Sequence, residues 1–203
     1  GEFVELLVGV MGLAAETDSN FQDVDGNATY YNAVGVAKKL GIIKGVGDGK
    51  FAPGEEFTRA QFCTIMVQAL GYEIGEYSNS FKDVNANDWF APYVEAAVRE
   101  GLFAGYTDGT FRPNQKISRE ELATVVGRAA VLAGKVEQEK MNKFVMEKSN
   151  FEDKGEVSSW AANQVAWLEA QGVFKGVAEG KFEPKKVVNR AEAALIVYNT
   201  LFK

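Results

Sequence analysis

The chain has 203 residues, 46% of them hydrophobic, a formal net charge of −6 and a sequence pI near 4.9. This length allows one or two domains with a sizeable core, and the acidic balance argues against nucleic acid or an anionic membrane surface as a partner. Histidine is absent, which excludes Ser/His/Asp and Cys/His catalysis and histidine-bearing zinc sites.

The first stretch, "GEFVELLVGVMGLAA" (1–15), is apolar but is interrupted by Glu2 and Glu5 and has no basic segment before it. It is therefore predicted to be a helix of the fold rather than a signal peptide. No apolar run in the chain reaches the roughly 18–20 residues that cross a bilayer, so no membrane span is predicted. The single cysteine, Cys63, falls on the apolar face of a predicted helix and is expected to be a small core residue.

Three blocks of sequence align almost without gaps, which is the signature of an internal repeat. The blocks are "LGIIKGVGDGKFAPGEEFTRAQF" (40–62), "EGLFAGYTDGTFRPNQKISREEL" (100–122) and "QGVFKGVAEGKFEPKKVVNRAEA" (171–193). Each unit opens upstream with "FQDV", "FKDV" or "FEDK". We therefore expect three units at 21–80, 81–150 and 151–203. Residues 1–20 contain an apolar pattern that matches the second helix of a preceding, truncated unit.

Each unit is predicted to hold a first helix, a glycine-rich turn, a short Gly–Phe–Pro connector and a second helix. Gly41, Gly101 and Gly172 suit the position just after a helix, and the prolines of the connector would break any helix that continued through it. Apolar residues recur at helical spacing after each connector. The charged insert at 135–150 either extends the second helix of unit 2 or forms a solvated linker.

The second helices begin at "TRAQ" (58–61), "SREE" (118–121) and "NRAE" (189–192). Thr58, Ser118 and Asn189 are good N-caps. Gln61 and Glu121, three positions after the first two, complete capping boxes, and Asn189 with Glu192 approximates the same arrangement. The arginine in the second position is not explained by capping, because a cation in the first turn opposes the helix dipole. Two interpretations stay open and are compatible: an anion site formed by the guanidinium and free backbone N–H groups, or an ion pair with an acidic residue of a neighbouring unit such as Asp23 or Asp83.

The three units together resemble the S-layer homology (SLH) family, on the strength of "FKDV", "DWF", "GLFAGYTDGTFRP" and "ISREEL", with nearly the whole chain covered. The resemblance implies a mainly α fold in which three tandem helix–loop–helix units form one pseudo-threefold module around a central helical bundle. It implies noncovalent anchoring of a secreted or S-layer protein to the bacterial cell wall, hence an extracellular, cell-surface location. The expected partner is a secondary cell-wall polysaccharide with pyruvylated sugars, bound in inter-unit grooves by a monomeric module.

The resemblance also implies which residues line the grooves. They are the arginines Arg59, Arg119 and Arg190 and the loop pairs Asp48–Gly49 and Asp108–Gly109, with Glu179–Gly180 at the matching place in unit 3. Loop chemistry is best preserved around Asp108, so one or two competent grooves are expected rather than three.

Aromatic residues add candidates for stacking on a sugar ring. Trp89, Trp160 and Tyr106 are the candidates, although core packing between units explains the two tryptophans equally well. Phe51, Phe111, Phe182 and Trp167 are predicted to be core residues.

Enzymatic activity, a metal site and a cofactor are not expected. "DVDGNATYYNAV" (23–34) has Ala28 and Val34 where a calcium loop needs Gly and a bidentate Glu. The pairs Glu55–Glu56 and Glu120–Glu121 are predicted to be solvated charges rather than opposed catalytic carboxylates. The alternative function is a protein-interaction or assembly module that keeps the scaffold without binding sugar.

Overall fold

The structure is a computed structural model, and it describes residues 20–176 and 180–203. The predicted leading helix (1–20, apart from Asn20) and the predicted loop residue Glu179 lie outside the described residues. Within the described part of the chain, no helix is long and apolar enough to cross a membrane.

The described residues are helical and contain no strand. The helices, in chain order, are α1 (Tyr31–Lys39) and α2 (Arg59–Ala69) in unit 1, α3 (Ala91–Arg99) and α4 (Arg119–Leu132) in unit 2, α5 (Gln138–Met141) in the insert, and α6 (Ala162–Ala170) and α7 (Arg190–Val197) in unit 3. Short 3₁₀ turns lie at Met146–Lys148 and Lys154–Glu156, and a π-helical turn at Tyr198–Phe202 follows α7. The predicted mainly α fold is confirmed.

The ends of the helices follow the predicted local chemistry. Thr58 and Ser118 form complete capping boxes with the third helical residue, and the Asn189 side chain accepts a hydrogen bond from the Glu192 backbone N–H at 2.8 Å. The glycine after each first helix has a left-handed φ of 69° to 71°, which is the conformation that glycine adopts without strain, at Gly41, Gly101 and Gly172.

The three units close into a ring through backbone hydrogen bonds between connectors and second helices. The Arg59 N–H donates to the Gln115 carbonyl of unit 2 at 2.8 Å, and the Arg119 N–H donates to the Lys186 carbonyl of unit 3 at 2.9 Å. The Arg190 N–H donates to the Glu55 carbonyl of unit 1 at 2.7 Å and so completes the circle. The helices follow the same cyclic order: α3 packs against α2, α6 against α4, and α1 against α7.

One aspartate in each unit fixes the Gly–Phe–Pro connector of the same unit. Asp83 accepts hydrogen bonds from the backbone N–H groups of Phe111 and Arg112, both at 2.8 Å, and Arg112 has a left-handed φ of 57°. Asp23 and Asp153 make the same pair of bonds in units 1 and 3. Both oxygens of each carboxylate are therefore used to hold a strained turn.

The predicted core residues are confirmed. Phe51, Phe111 and Phe182 are fully buried, and Trp167 of α6 is buried in the main core. Cys63 is also fully buried, and burial raises the pKa of its thiol. The second helices contribute to one shared core, which is the predicted central bundle; its members include Phe62, Met66, Leu122, Val126, Ile196 and Val197.

The insert at 135–150 follows neither interpretation left open by the sequence. Helix α4 ends at Leu132, so the insert does not extend it. Instead the short helix α5 places the fully buried side chain of Met141 in the main core. Burial of this apolar side chain holds the insert against the core, although the many charged residues of the insert predict a solvated linker.

We expect Asp83→Asn to lower the free energy of unfolding by about 1–3 kcal/mol, because an amide can accept only one of the two backbone hydrogen bonds. Denaturant unfolding followed by circular dichroism measures this. Asp25→Asn is the matched control. The exposed Asp25 accepts a hydrogen bond from the Asn27 backbone N–H through one oxygen, a bond that the asparagine amide oxygen can also accept. Equal stability of the two variants would contradict the assigned role of Asp83.

Candidate functional site: three inter-unit grooves

The three arginines lie at equivalent places where two units meet. Each is the first residue of a second helix, and 3–6% of each residue is exposed, for Arg59, Arg119 and Arg190. Each donates its Nε–H to the carbonyl of the connector phenylalanine in the next unit: Arg59 to Phe111 at 2.9 Å, Arg119 to Phe182, and Arg190 to Phe51 at 2.7 Å. We call these places groove A (Arg59, units 1 and 2), groove B (Arg119, units 2 and 3) and groove C (Arg190, units 3 and 1).

The helix N-termini beside the arginines are already occupied. In α2, the N–H groups of Arg59 and Ala60 donate to connector carbonyls of unit 2, and the Gln61 N–H donates to the Thr58 side chain. The other second helices repeat these bonds. The expectation that free backbone N–H groups would help to bind an anion is therefore wrong, and the charge available in each groove is that of the guanidinium.

Groove A holds a neutralised arginine. The Arg59 Nη1 lies 3.1 Å from Glu121 Oε1, and its Nη2 donates to the Ala104 carbonyl at 3.2 Å. The Tyr106 ring lies over the guanidinium at 4.8 Å, and its hydroxyl donates to Glu121 Oε1 at 2.5 Å. Burial, together with that hydrogen bond, raises the pKa of Tyr106. The groove has a volume of about 350 Å³, and Trp160 of unit 3 stands on its wall.

Groove B is larger and follows the same pattern. It has a volume of about 890 Å³, and Arg119 forms an ion pair with Glu192 inside it. Burial lowers the pKa of Arg119 from its ordinary value. The groove wall is otherwise basic, with Lys135, Lys175 and Lys203. Thr29 of unit 1 occupies the position that Trp160 has in groove A.

In the part of the chain that the structure describes, no carboxylate forms an ion pair with Arg190 in groove C. The Arg190 guanidinium lies 4.7 Å from the ring centres of Phe51 and Phe57. Its Nη2 has no hydrogen-bond partner, and it is the one buried side-chain nitrogen or oxygen in residues 20–176 and 180–203 without one. Burial lowers the pKa of Arg190, and the more distant charges of Glu55 and Asp23 oppose that shift.

The structural alternative for the arginines is therefore present in grooves A and B, but with partners that the sequence did not suggest. Glu121 and Glu192 are the third residues of the second helices and lie in the next unit around the ring. Asp23 and Asp83 hold backbone N–H groups instead.

The two candidate tryptophans are exposed, so the core-packing alternative is wrong. Trp89 is 60% exposed and Trp160 is 52% exposed. Trp160 and Thr29 occupy equivalent positions, two residues before the first helix of their own unit, and each lies on the wall of the groove between the other two units. From the same cyclic relation we expect Trp89 of unit 2 to lie at groove C.

Asp108 and Gly109 shape their turn rather than the wall of groove A, and Gly49 shapes the equivalent turn of unit 1. Gly49 and Gly109 have left-handed φ values of 69° and 80°, and their carbonyls accept the backbone N–H groups of Gln22 and Lys82. The exposed Asp108 is held by Thr110 and Arg112, which lower the pKa of its carboxyl to about 2. Tyr106 and Thr107 line groove A, whereas Asp48, Gly49, Asp108 and Gly109 are not among the residues that line grooves A and B.

The prediction of solvated charges was wrong for Glu120 and Glu121. Glu120 is 3% exposed and accepts hydrogen bonds from Ser158 and Lys185 of unit 3. Glu121 forms the ion pair with Arg59 in groove A. In the described part of the chain, no group of three or more His, Cys, Asp and Glu side chains is arranged to hold a metal ion.

Comparison with known proteins agrees with this architecture. The S-layer homology domain family matches residues 20–63, 80–123 and 150–194. The chain therefore belongs to the S-layer homology domain family, and the resemblance seen in its sequence is confirmed.

Its relatives include enzymes and surface proteins. The chain is 33% identical over 191 residues to an amylopullulanase of Thermoanaerobacterium thermosulfurigenes, an alignment that covers 94% of this chain and 10% of the relative. It is 31% identical to an S-layer protein of Bacillus thuringiensis subsp. finitimus, with 96% of this chain and 23% of the relative covered. It is 31% identical to a cellulosome-anchoring protein of Acetivibrio thermocellus, with 82% and 37% covered. The chain thus spans less than two-fifths of the length of each of these relatives.

We expect Glu121→Gln to lower the free energy of unfolding by about 1–3 kcal/mol, because it leaves the buried Arg59 without its counter-charge. Thermal and urea unfolding measure the change. Glu139→Gln, at an exposed position of α5, is the control and should stay within about 0.5 kcal/mol of the parent chain. An equally small effect at Glu121 would show that Arg59 does not depend on the pair.

Proposed function

We propose that this chain is a non-catalytic module that anchors a secreted or S-layer protein to the bacterial cell wall by binding secondary cell-wall polysaccharide. Membership of the S-layer homology family supports the anchoring role and the cell-surface location. The relatives named as S-layer and cellulosome-anchoring proteins support it further. The relative named as an enzyme is matched over only 10% of its length, which agrees with an accessory module attached to varied cargo.

The observation that carries the proposal is that an arginine lines each of the two inter-unit grooves A and B. Grooves A and B are open cavities large enough for one or more sugar rings. An exposed tryptophan on the wall of groove A offers a flat face to a pyranose ring. These features suit a glycan that combines apolar sugar faces with a negative charge.

A pyruvyl ketal is the negative group that we propose. It carries one carboxylate on a sugar, and a guanidinium can bind both carboxylate oxygens with parallel N–H bonds. The proposed ligand residues are Arg59, Arg119 and Arg190 with Tyr106, Trp89 and Trp160. The loop pairs Asp48–Gly49 and Asp108–Gly109 contribute by fixing the connector shape.

One observation favours the alternative of an assembly module without sugar binding. In grooves A and B the arginine is already paired with a glutamate of the protein, so each arginine has a structural role without any ligand. Binding to cell-wall sacculi with and without their secondary polymer separates the two functions.

The test is a pull-down of the chain with cell-wall sacculi from the producing organism, before and after acid extraction of the secondary polymer. We expect binding to intact sacculi and its loss after extraction. Binding that survives extraction, or no binding to either preparation, would overturn the proposal. Binding only to other surface proteins would support the assembly module instead.

Replacing an arginine also removes a hydrogen bond that joins two units, so the matched variants alter the exposed aromatic residues instead. We expect Trp89→Ala with Trp160→Ala to weaken binding to intact sacculi about fivefold or more, because each stacked ring contributes about 0.5–1.5 kcal/mol and the two together about 1–3 kcal/mol. Leu132→Ala is the control, since Leu132 is also exposed but lies at the end of α4. Similar binding by all three proteins would exclude the tryptophans from the site. Thermal unfolding should show little difference among them.

A further inference from the structure

The N3 position, the third residue of each second helix, decides whether the arginine of the preceding unit in the ring is neutralised. Glu121 forms an ion pair with Arg59, and Glu192 forms one with Arg119. The corresponding residue for Arg190 is Gln61, the N3 residue of unit 1. This is the point at which unit 1 departs from the other two.

A carboxylate has two oxygens, so at this position it can cap its own helix and also form an ion pair with the arginine. Glu121 accepts from the Ser118 N–H through Oε2, at 2.9 Å, and binds Arg59 through Oε1. The single oxygen of Gln61 is already engaged by the Thr58 N–H, at 2.9 Å. The other end of the Gln61 side chain is an NH₂ group, which is a donor and cannot accept from a guanidinium.

The cover over the arginine is also missing in unit 1. Tyr106 lies over Arg59 in groove A, and the corresponding residue for groove C is Val46, which is 51% exposed. Val46 has no hydroxyl to hold a counter-charge and no ring to cover the guanidinium. In groove A the corresponding nitrogen, Arg59 Nη2, donates to the Ala104 carbonyl, while Glu121 pairs with Nη1. Arg190 Nη2 has no such partner, and Gln61 and Val46 supply no carboxylate or hydroxyl for the rest of the guanidinium.

A buried charged donor without a partner is costly, and such groups normally bind water, an ion or a ligand. A ligand carboxylate entering groove A or B must compete with a glutamate that is already in place. The same carboxylate entering groove C meets no such competitor.

We propose that groove C is the anion-selective site of this chain: Arg190 binds the single carboxylate of an acidic sugar there, while grooves A and B contact uncharged parts of the glycan. The proposal rests on the proposed function, because it assigns the charge-dependent part of glycan binding to one of three related grooves. Trp89, assigned to groove C by the cyclic relation, supplies the stacking face beside Arg190.

The variant that tests the proposal is Gln61→Glu, which gives groove C the same capping box and counter-charge that groove A has. Calorimetric titration with a pyruvyl-ketal disaccharide measures binding, and the methyl ester of that disaccharide is the uncharged probe. The parent chain should bind one equivalent of the acid and bind the ester at least tenfold more weakly. Gln61→Glu should weaken binding of the acid about tenfold or more without lowering thermal stability, because a new protein carboxylate competes for Arg190.

Glu121→Gln makes the reverse change in groove A, because it removes the counter-charge of Arg59. It should add a second equivalent of bound acid at groove A and leave the affinity at groove C within about threefold of the parent. The side-chain Nε–H signal of Arg190 in nitrogen–proton spectra should shift on addition of the acid and not of the ester. Unchanged acid binding in Gln61→Glu, or equal binding of acid and ester by the parent chain, would overturn the proposal.

The outcomes separate this proposal from the proposed function. If the parent chain and Gln61→Glu bind intact sacculi and the acidic disaccharide equally well, wall anchoring stands and the assignment to groove C fails. If the parent chain binds neither sacculi nor disaccharide, the proposed function fails and the assignment fails with it.

Discussion

The Nε–H groups of Arg59, Arg119 and Arg190 each donate to a phenylalanine carbonyl in the next unit, and the last of these bonds returns from unit 3 to unit 1. Backbone bonds between helix starts and connectors run in the same direction around the ring. A unit of this size buries little surface on its own, so the units depend on one another. The arginines are therefore structural residues first, and any ligand that they bind meets side chains already fixed in place by the ring.

A buried guanidinium is stabilised by a nearby carboxylate, and two of the three buried arginines have one. Glu121 and Glu192 supply counter-charges from the next unit, while Gln61 keeps the helix cap but supplies no charge. Because a buried charge without a partner is costly, an external anion should bind more favourably at groove C than at grooves A and B. Three similar grooves can thus differ in selectivity through one residue that otherwise only caps a helix.

Local features of the fold were predictable, because they depend on residues close together in the sequence. The capping boxes at Thr58 and Ser118 and the buried connector phenylalanines follow from spacing and apolar pattern. The partners of the arginines could not be predicted in this way, because Glu121 lies 62 residues from Arg59. Its role in the capping box already accounts for a glutamate at that position. Burial of Glu120 and the exposure of Trp89 likewise depend on which unit packs beside them. A comparison of the N3 residues across the repeats is the one sequence signal that separates Gln61 from Glu121 and Glu192.

The central claim is that ring closure fixes three arginines and that the missing counter-charge makes one of them an anion site. A crystal structure of the chain with a pyruvyl-ketal disaccharide tests it most directly, because it shows which groove the carboxylate enters. We expect the carboxylate to lie within hydrogen-bond distance of Arg190, with Arg59 still bound to Glu121 and the Arg190 bond to the Phe51 carbonyl intact. A carboxylate bound to Arg59 or Arg119 in place of its glutamate, with groove C unoccupied, would contradict it.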